Sequence, residues 1–584
     1  MTACRAESLA LALALSLVPG AAWAQGQAPL RLTPPTREAP AQTPAPARPA
    51  APAGIEVEQA RPLDMEAIGL LEPGQGGLPA DAWTGTARTV AERLVRDLPA
   101  PLASTPQREM AARLLASTLA SPSGEGRTSL VALRARKLGD LGDAPRAEAL
   151  AQRVPAREID EGLLRAQLDA AWLAGRNDEA CAAARDALAR FRHPEFQKSL
   201  MFCQALAGDR QRAEMGLTLL RDQGVPEDPL FVTLLLAQGG DGRGVRLENP
   251  RALTPLGFAM LRGAKLAPPA DLAQSDSPAL LVALTNAEGI APELRLAAAE
   301  RAEAFGALPA ADLAKLYGEL PLTPPQLADP LAFARTDGGA RGRAALFQAA
   351  QAAQGGARFD SLQRLWRHGR ERGGYATLAR ASLDLLAEIN PSPEHAAHAA
   401  DAARAFLLAG RIQDAREWIR FANAARIGGG QAEEDRHAGM WVLAMLAGLE
   451  WPVTDEARAF LAWREATARA DARGAPARVA LATTLLAGLG HLPPGGAFAA
   501  FPETAPARGP VAMPHPAVWT ALHQAAVAGR VAETIALAAQ ALGGEGPAGA
   551  APQTLLAVFD ALRAVGLDES ARALALEAAI AAGL

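Results

Sequence analysis

The stretch LDAAWLAGRNDEACAAARDALARF, residues 168–191, decides the fold class. Its first half places small and apolar residues three and four positions apart, at Leu168, Ala171, Trp172 and Gly175. Its second half keeps that spacing at Ala180, Ala183, Ala184, Ala187, Leu188 and Phe191. The spacing is that of one face of an α-helix. Between the halves, Gly175-Arg176-Asn177-Asp178 combines a glycine that ends helices with residues that begin them. The stretch therefore predicts a hairpin of two antiparallel helices.

The turn of this hairpin recurs along the chain. A small residue and a glycine stand together at Ala174-Gly175, Ala207-Gly208, Ala409-Gly410, Ala528-Gly529 and Val565-Gly566. Five residues after each glycine the chain has Ala180, Ala213, Ala415, Thr534 and Ala571. The first two glycines are 33 residues apart and the last two are 37 apart. This pattern resembles the tetratricopeptide (TPR) repeat superfamily in a degenerate form, which implies an α-solenoid of stacked helical hairpins.

The composition of the 584-residue chain agrees with a helical protein. Apolar residues make up 49% of it but aromatic residues only 4%, so alanine and leucine supply most of the core. Both are strong helix formers. The net charge is −5 and no segment carries a basic stripe, so we expect no nucleic-acid partner. The fold class that follows is all-α, with helical hairpins repeated over most of the length.

The first 24 residues have the pattern of a signal peptide. A short apolar core at residues 9–18 follows Arg5, and Pro19-Gly20 breaks it before the small-residue motif Ala22-Trp23-Ala24. We expect cleavage after Ala24 and a periplasmic or secreted protein. Residues 25–54 contain eight prolines and little to bury, which predicts a disordered linker.

The rest of the chain divides by its breaks in periodicity. We expect an irregular segment at 55–80, N-terminal helical repeats at 81–240, middle repeats at 241–425, repeats with a tryptophan cluster at 426–490, a Pro-rich loop at 491–516 and C-terminal repeats at 517–584. After the leader, no apolar run approaches the ~18 residues that a membrane span needs. We therefore expect no membrane span.

Cys181 and Cys203 are the two cysteines that remain after leader cleavage. They lie at similar distances on either side of the predicted turn near Arg192-His193, so antiparallel packing brings them level. An oxidising compartment favours a disulfide between them. The alternative is two buried free thiols, which behave as small hydrophobic groups.

Four tryptophans, Trp418, Trp441, Trp451 and Trp463, fall within 46 residues. On a concave solenoid face they would form a binding surface for a peptide or a sugar. The alternative is that each fills a gap between alanine-rich helices, which is the more common fate of such residues in soluble proteins.

The sequence has no motif that predicts a catalytic, cofactor or metal site. G-x-S-x-G, H-E-x-x-H and Walker A patterns do not occur. His395, His398 and Asp401 share one helix side, but zinc sites normally take three or four ligands from more than one element. A solvated or capping patch explains these three residues better, so we expect no cofactor.

Two functions remain open. Solenoids usually act by presenting extended binding surfaces, which favours a non-enzymatic scaffold or adaptor for protein partners in the bacterial envelope. The alternative is a peptidoglycan-interacting protein that resembles the alanine-rich superhelical part of soluble lytic transglycosylases. Those enzymes use a Glu-Ser pair, and this chain has Glu569-Ser570 inside a repeat-like helix.

The last helix is predicted over residues 568–582. One face, containing Ala571, Leu574, Ala575, Ala578 and Ala582, can pack on the preceding helix. A second face has Ala573, Leu576 and Ile580, and only Arg572 and Glu577 lie between the two faces. A terminal repeat needs a polar outer face. We therefore expect the second face to be covered, either by the 491–516 segment or by a second copy in a homo-oligomer.

Overall fold

The computed structural model describes residues 64–239, 245, 247–452, 455–491 and 513–584, and residues 63–584 form one compact unit. The expected signal peptide, the Pro/Ala linker and nearly all of the 491–516 loop lie outside the described residues. The first ten α-helices are α1 (Arg88–Arg96), α2 (Thr105–Ala116), α3 (Leu130–Asp140), α4 (Ala144–Gln152), α5 (Glu161–Ala174), α6 (Asn177–Arg190), α7 (Pro194–Leu206), α8 (Arg210–Asp222), α9 (Pro229–Leu236) and α10 (Pro255–Gly263).

The helices of the middle and C-terminal parts follow in the same style. The middle helices are α11 (Pro278–Asn286), α12 (Pro292–Ala304), α13 (Ala310–Glu319), α14 (Pro324–Ala328), α15 (Pro330–Asp337), α16 (Ala340–Ala352), α17 (Gly355–Arg372), α18 (Tyr375–Ala381), α19 (Leu383–Ala387) and α20 (Ala399–Leu408). The C-terminal helices are α21 (Ile412–Arg426), α22 (Gln431–Ala438), α23 (Trp441–Leu446), α24 (Glu456–Ala470), α25 (Ala475–Gly488), α26 (Pro516–Val527), α27 (Val531–Leu542), α28 (Pro552–Ala564) and α29 (Asp568–Ala581).

The described part of the chain is all-α, as the sequence predicts. It has no named strand, only isolated bridges at Leu71–Ser117 and Ala87–Ser123. Short 3₁₀ helices lie at Met65–Ala67, Pro73–Gln75, Ala156–Glu158, Pro250–Ala252, Ala270–Gln274, Pro393–His398 and Gly546–Ala548. No helix in the described ranges is both long and apolar enough to cross a membrane.

The five predicted glycine turns all separate paired helices. They join α5 to α6, α7 to α8, α20 to α21, α26 to α27 and α28 to α29. Each glycine has a positive φ, between 68° and 83°. The residue after each glycine donates its backbone N–H to the carbonyl five residues before it, at 2.9–3.0 Å. This bond closes the left-handed turn that ends a helix, which only glycine adopts without strain.

Most helices pack against their neighbours in the chain, which gives the fold its repeat-like character. Besides the five glycine hairpins, α3 packs on α4, α6 on α7, α11 on α12, and α16 on both α15 and α17. Buried alanines such as Ala180, Ala184 and Ala415 allow the helices to approach closely. Other contacts join helices that are not neighbours in the chain: α5 also packs on α10, and α25 packs on α28.

A buried arginine of α3 bonds to the first described residues, which belong to the segment predicted to be irregular. Arg134 of α3 is 2% exposed and donates to the backbone carbonyls of Leu115, Ile68 and Ser117 at 2.7, 2.8 and 2.6 Å. Burial lowers the pKa of Arg134 to about 10. The N–H groups of the guanidinium donate hydrogen bonds to carbonyl groups that would otherwise be buried without partners.

The two ends of the described array meet. Helix α2 packs on α27 and α29, and α1 packs on α27. Gln107 donates to the carbonyls of Ala539 and Gly543 at 3.0 and 2.9 Å, and the backbone N–H of Ala103 donates to Gly544 at 2.8 Å. The described helices are therefore not an open array, because the N-terminal helices close against the C-terminal hairpins.

Helix α29 spans Asp568–Ala581, one residue shorter than predicted, and its two apolar faces have different covers. One face packs on α28 as expected. Leu576 and Ile580 on the other face are each only 5% exposed, because α29 also contacts α2, α20, α23 and α25. The expectation that a second copy covers this face is corrected at these two side chains, because helices of the same chain contact α29 and bury them. The other expected cover, the 491–516 segment, lies almost wholly outside the described residues.

Candidate binding cavity

The two cysteines lie on consecutive antiparallel helices, Cys181 on α6 and Cys203 on α7. The structure joins them in a disulfide, with a Cα–Cα distance of 5.7 Å. Both residues are buried, at 7% and 8% exposure. A structural disulfide at this position is consistent with an oxidising, extracytoplasmic location.

The four tryptophans do not form one exposed surface. Trp418, Trp441 and Trp463 are buried, while Trp451 is half-buried. Trp418 packs beside Phe359 with ring centroids 5.6 Å apart, whereas Trp441 and Trp463 each lie 5.8 Å from Phe460. Side chains packed in this way fill gaps between helices. The burial favours the core interpretation of the cluster over a stacking groove.

The histidines of the same region are also part of the packing. His395 and His398 both stack on Phe359, at 5.4 and 5.5 Å. Asp401 instead accepts hydrogen bonds from Gln363 and Arg370. Across the described ranges, no group of three or more His, Cys, Asp or Glu side chains is placed to hold a metal ion.

A cavity of about 590 Å³ lies where the ends of the array meet. Six parts of the chain form its walls: the start of α2, the start of α13, the α18–α19 segment, the α20–α21 turn, the end of α23 and the second face of α29. Its lining consists of Thr105, Pro106, Glu109, Ala310, Arg380, Leu383, Leu407, Leu408, Ala409, Gly410, Ile412, Ala447, Glu569, Arg572, Ala573, Leu576 and Glu577. Its volume is within the range of small-ligand sites in proteins.

Glu577 is the most perturbed ionisable group in this cavity. Its carboxylate accepts a hydrogen bond from the hydroxyl of Ser104 at 2.5 Å. Burial raises the pKa of Glu577 to about 7, although the Ser104 hydroxyl and the charge of Arg380 act in the opposite direction. A carboxyl group that is half-ionised near neutral pH, at the wall of a cavity, is typical of a functional site.

Arg380 does not neutralise Glu577, because another carboxylate holds it. Its Nε and Nη2 donate to the two oxygens of Glu303 at 2.6 and 2.9 Å. Glu303 lies on α12 and is 3% exposed, so this two-point ion pair is buried behind the cavity wall. Such bidentate pairs fix the guanidinium in one geometry.

The remaining charged groups of the cavity lie nearer to solvent. Glu109 on α2 and Glu569 on α29 are exposed, and Arg572 is half-buried. Arg572 lies beside the backbone of Gly448, next to Ala447 of the lining. The cavity therefore combines an apolar interior with one half-buried carboxyl group, that of Glu577, and a mixed-charge mouth.

Two residues of this cavity stand out in the sequence, although not as ligand-binding residues. Glu577 and Arg572 are the only residues between the two apolar faces of the last helix. That signal, a charged residue bordering a face with no assigned cover, could have identified Glu577. Ser104, Arg380 and the α20–α21 turn carry no such signal, because only the closed fold brings them to α29.

The fold and the cavity define an all-helical protein of repeat-like hairpins with a ligand-sized cavity at the junction of its ends. No protein-family model matches this chain, and no curated protein or solved structure matches it either. Function therefore has to be argued from the cavity and its chemistry.

Proposed function

We propose that this chain is an exported, non-enzymatic scaffold or adaptor of the bacterial cell envelope, which binds a protein partner through the cavity at the junction of its ends. In this proposal the hairpins are degenerate TPR-like repeats, and the array is an α-solenoid whose ends have joined. The observation that carries the proposal is the cavity itself, whose walls come from six separate parts of the chain.

The architecture supports a binding role. Helical-repeat proteins use the surfaces that stacked hairpins create, and their inner walls are the usual contact regions. Here Leu383, Leu407 and Leu408 give the cavity an apolar wall, and Glu577 gives it one half-buried polar group. Pockets with this composition generally recognise a ligand through apolar contacts and use the polar group to orient it.

Two features support export. The Ala22-Trp23-Ala24 motif follows an apolar core of the length found in signal peptides. The Cys181–Cys203 disulfide fits a compartment in which disulfides persist. A periplasmic or secreted location therefore accompanies the proposed binding role.

A peptidoglycan-directed function is the second candidate. The observation that favours it is that Glu569, of the Glu569-Ser570 pair, lines the cavity, together with a second glutamate whose pKa is raised toward neutrality. A protonated carboxyl is what glycan cleavage requires of its general acid. A zymogram against purified peptidoglycan separates this candidate from the adaptor, for which no cleared band is expected.

Site-specific photo-crosslinking in living cells tests the adaptor. A photoreactive amino acid at Leu408, inside the cavity, should give a discrete protein adduct. The same amino acid at Val527, which is 74% exposed on α26 and outside the lining, should not. Ala573→Phe, which fills the cavity, should abolish the Leu408 adduct while the melting temperature shows that the protein is folded. Identical adducts at both positions would contradict the proposal.

A further inference from the structure

The cavity holds a half-buried carboxylate that forms no ion pair within the described part of the chain. Among the described residues, Glu577 makes one polar side-chain contact, with the uncharged hydroxyl of Ser104. Arg380, the cationic group whose charge acts on Glu577, is already bonded to both oxygens of Glu303. Removing an unpaired carboxylate from part of its water is costly, so a group that brings a positive charge into the cavity recovers that cost.

The ionisable groups that line the cavity also carry a net negative charge. Three carboxylates, Glu109, Glu569 and Glu577, face two guanidiniums, Arg380 and Arg572. Because Glu303 neutralises Arg380, Arg572 at the mouth is the one guanidinium of the lining without a carboxylate partner among the described residues. An anionic ligand would therefore have to place its charge at the mouth and leave Glu577 unmatched inside.

The walls beside Glu577 are aliphatic. Along α29 the cavity is lined by Ala573 and Leu576 before Glu577, and Leu383, Leu407 and Ile412 contribute further aliphatic side chains to the lining. From Ala573 to Glu577 the helix rises by about 6 Å. This distance corresponds to an alkyl chain of four to six carbons whose polar end reaches the carboxylate.

We propose that the cavity binds a primary ammonium group at the end of an aliphatic chain, with Glu577 as its counter-ion and the aliphatic walls around the chain. The proposal rests on the proposed binding function and gives its ligand class. The ammonium group comes either from a lysine side chain of the protein partner or from a free alkylamine.

Isothermal titration calorimetry of the full-length mature protein with three probes of equal length tests the charge. Hexylammonium should bind at least about tenfold more tightly than hexanol, which corresponds to about 1.4 kcal/mol. Hexanoate should bind more weakly than hexanol. Equal binding of hexylammonium and hexanoate would overturn the proposal.

A matched pair of variants tests the counter-ion. Glu577→Gln keeps the size of the side chain and can still accept the Ser104 hydrogen bond, so it should fold. It should lose the preference for hexylammonium over hexanol but retain hexanol binding. Glu214→Gln removes an exposed charge on α8, outside the cavity lining, and should change the preference by no more than about twofold, because solvent and salt screen it. A Glu577→Gln protein that keeps the wild-type preference would refute the role of Glu577.

A second probe pair identifies the source of the ammonium group. Nα-acetyl-lysine methylamide should bind if the source is a lysine side chain, and its Nε-acetylated analogue should not. Hexylammonium binding without binding of the lysine probe supports a free alkylamine.

The two proposals can fail separately. A cavity-specific adduct at Leu408, with no ammonium preference in calorimetry, overturns the ligand class and leaves the adaptor function standing. An ammonium preference without any protein adduct at Leu408 overturns the protein partner and leaves the ligand class standing.

Discussion

At Glu577, burial opposes ionisation and the Ser104 hydroxyl favours it, and burial has the larger effect. Arg380 on α18, paired with Glu303 of α12, is the charged group that acts on this carboxyl group, and the same cavity is also lined by Glu109 on α2 and by Glu569 and Arg572 on α29. The exposed members of this set act weakly through solvent. The folded protein therefore holds the Glu577 proton more tightly than the unfolded chain does.

This difference predicts a pH dependence of stability. The pKa of Glu577 is about 7 in the fold, against an ordinary value of 4.5. Proton binding thus contributes stability that is complete below pH 4.5 and is lost as the pH rises through 7. Glu577→Gln, which stays neutral, should lie within about 1 kcal/mol of the wild type near pH 5 and exceed its unfolding free energy at pH 8 by up to about 3 kcal/mol.

Urea unfolding at pH 5 and pH 8 measures this effect. Asp169, whose pKa burial raises to about 6, changes stability in the same direction in both proteins, so the difference between variant and wild type isolates Glu577. Glu109→Gln, exposed in the same cavity, is the control and should follow the wild type at both pH values. A constant difference between Glu577→Gln and wild type across this range would show that the pKa is not raised.

A residue that lowers stability at neutral pH needs another reason to be there. A glutamine at position 577 could keep the Ser104 contact without a buried charge. Binding of a cationic ligand supplies such a reason, because active and binding sites often retain groups that weaken the fold. The same substitution should therefore raise stability and remove ammonium binding, a combination that a purely structural role for Glu577 does not produce.

The sequence predicts individual helices and helical hairpins better than any other feature of the fold. A stripe of apolar residues and a glycine turn are local patterns, and each glycine turn depends on residues within one helical turn of it. The positions of Gly175 and Gly208 thus identified their hairpins directly. The tryptophans were harder, because a binding groove and a core both need large apolar side chains at helical spacing.

The disulfide is an element-scale feature that links two hairpins. Cys181 and Cys203 are separated by 22 positions in the chain. For a loop of this length, loss of unfolded-state entropy predicts a stabilisation of about 3 kcal/mol. The double variant Cys181→Ala/Cys203→Ala should lower the unfolding free energy by roughly that amount.

Two measurements check this prediction. Intact-mass analysis of protein purified from the periplasm under thiol-blocking conditions should find no free thiol in the wild type. A reducing agent should lower the wild-type melting temperature but leave that of the double variant unchanged, which serves as its matched control. Equal sensitivity of both proteins to reduction would show that the bond does not stabilise the fold.

The closure of the array could not be predicted from the sequence. Ser104 and Glu577 are 473 residues apart, and Gln107 reaches Ala539 over 432 residues. Such contacts leave no periodic pattern in the sequence. They depend on the small rotation between each hairpin and the next, summed over the whole array. The cavity shares this origin, so its walls became visible only in the folded chain. The sequence predicts that the last helix needs a cover, but it does not indicate that α2, α20, α23 and α25 of the same chain supply it.

The cover of α29 gives the whole-molecule prediction. Helix α29, whose Leu576 and Ile580 are each 5% exposed, packs on α2, α20, α23 and α25, which come from all three parts of the described chain. Leu576→Asp/Ile580→Asp would place two carboxylates in an apolar contact beside Glu577, which costs several kcal/mol unless the contact opens. The double variant should therefore melt at a lower temperature and have a larger radius of gyration in solution X-ray scattering. Leu219→Asp on α8, at a side chain 54% exposed, is the control and should change neither quantity. If the double variant keeps the wild-type melting temperature and radius, the second face of α29 is not what holds the two ends of the array together.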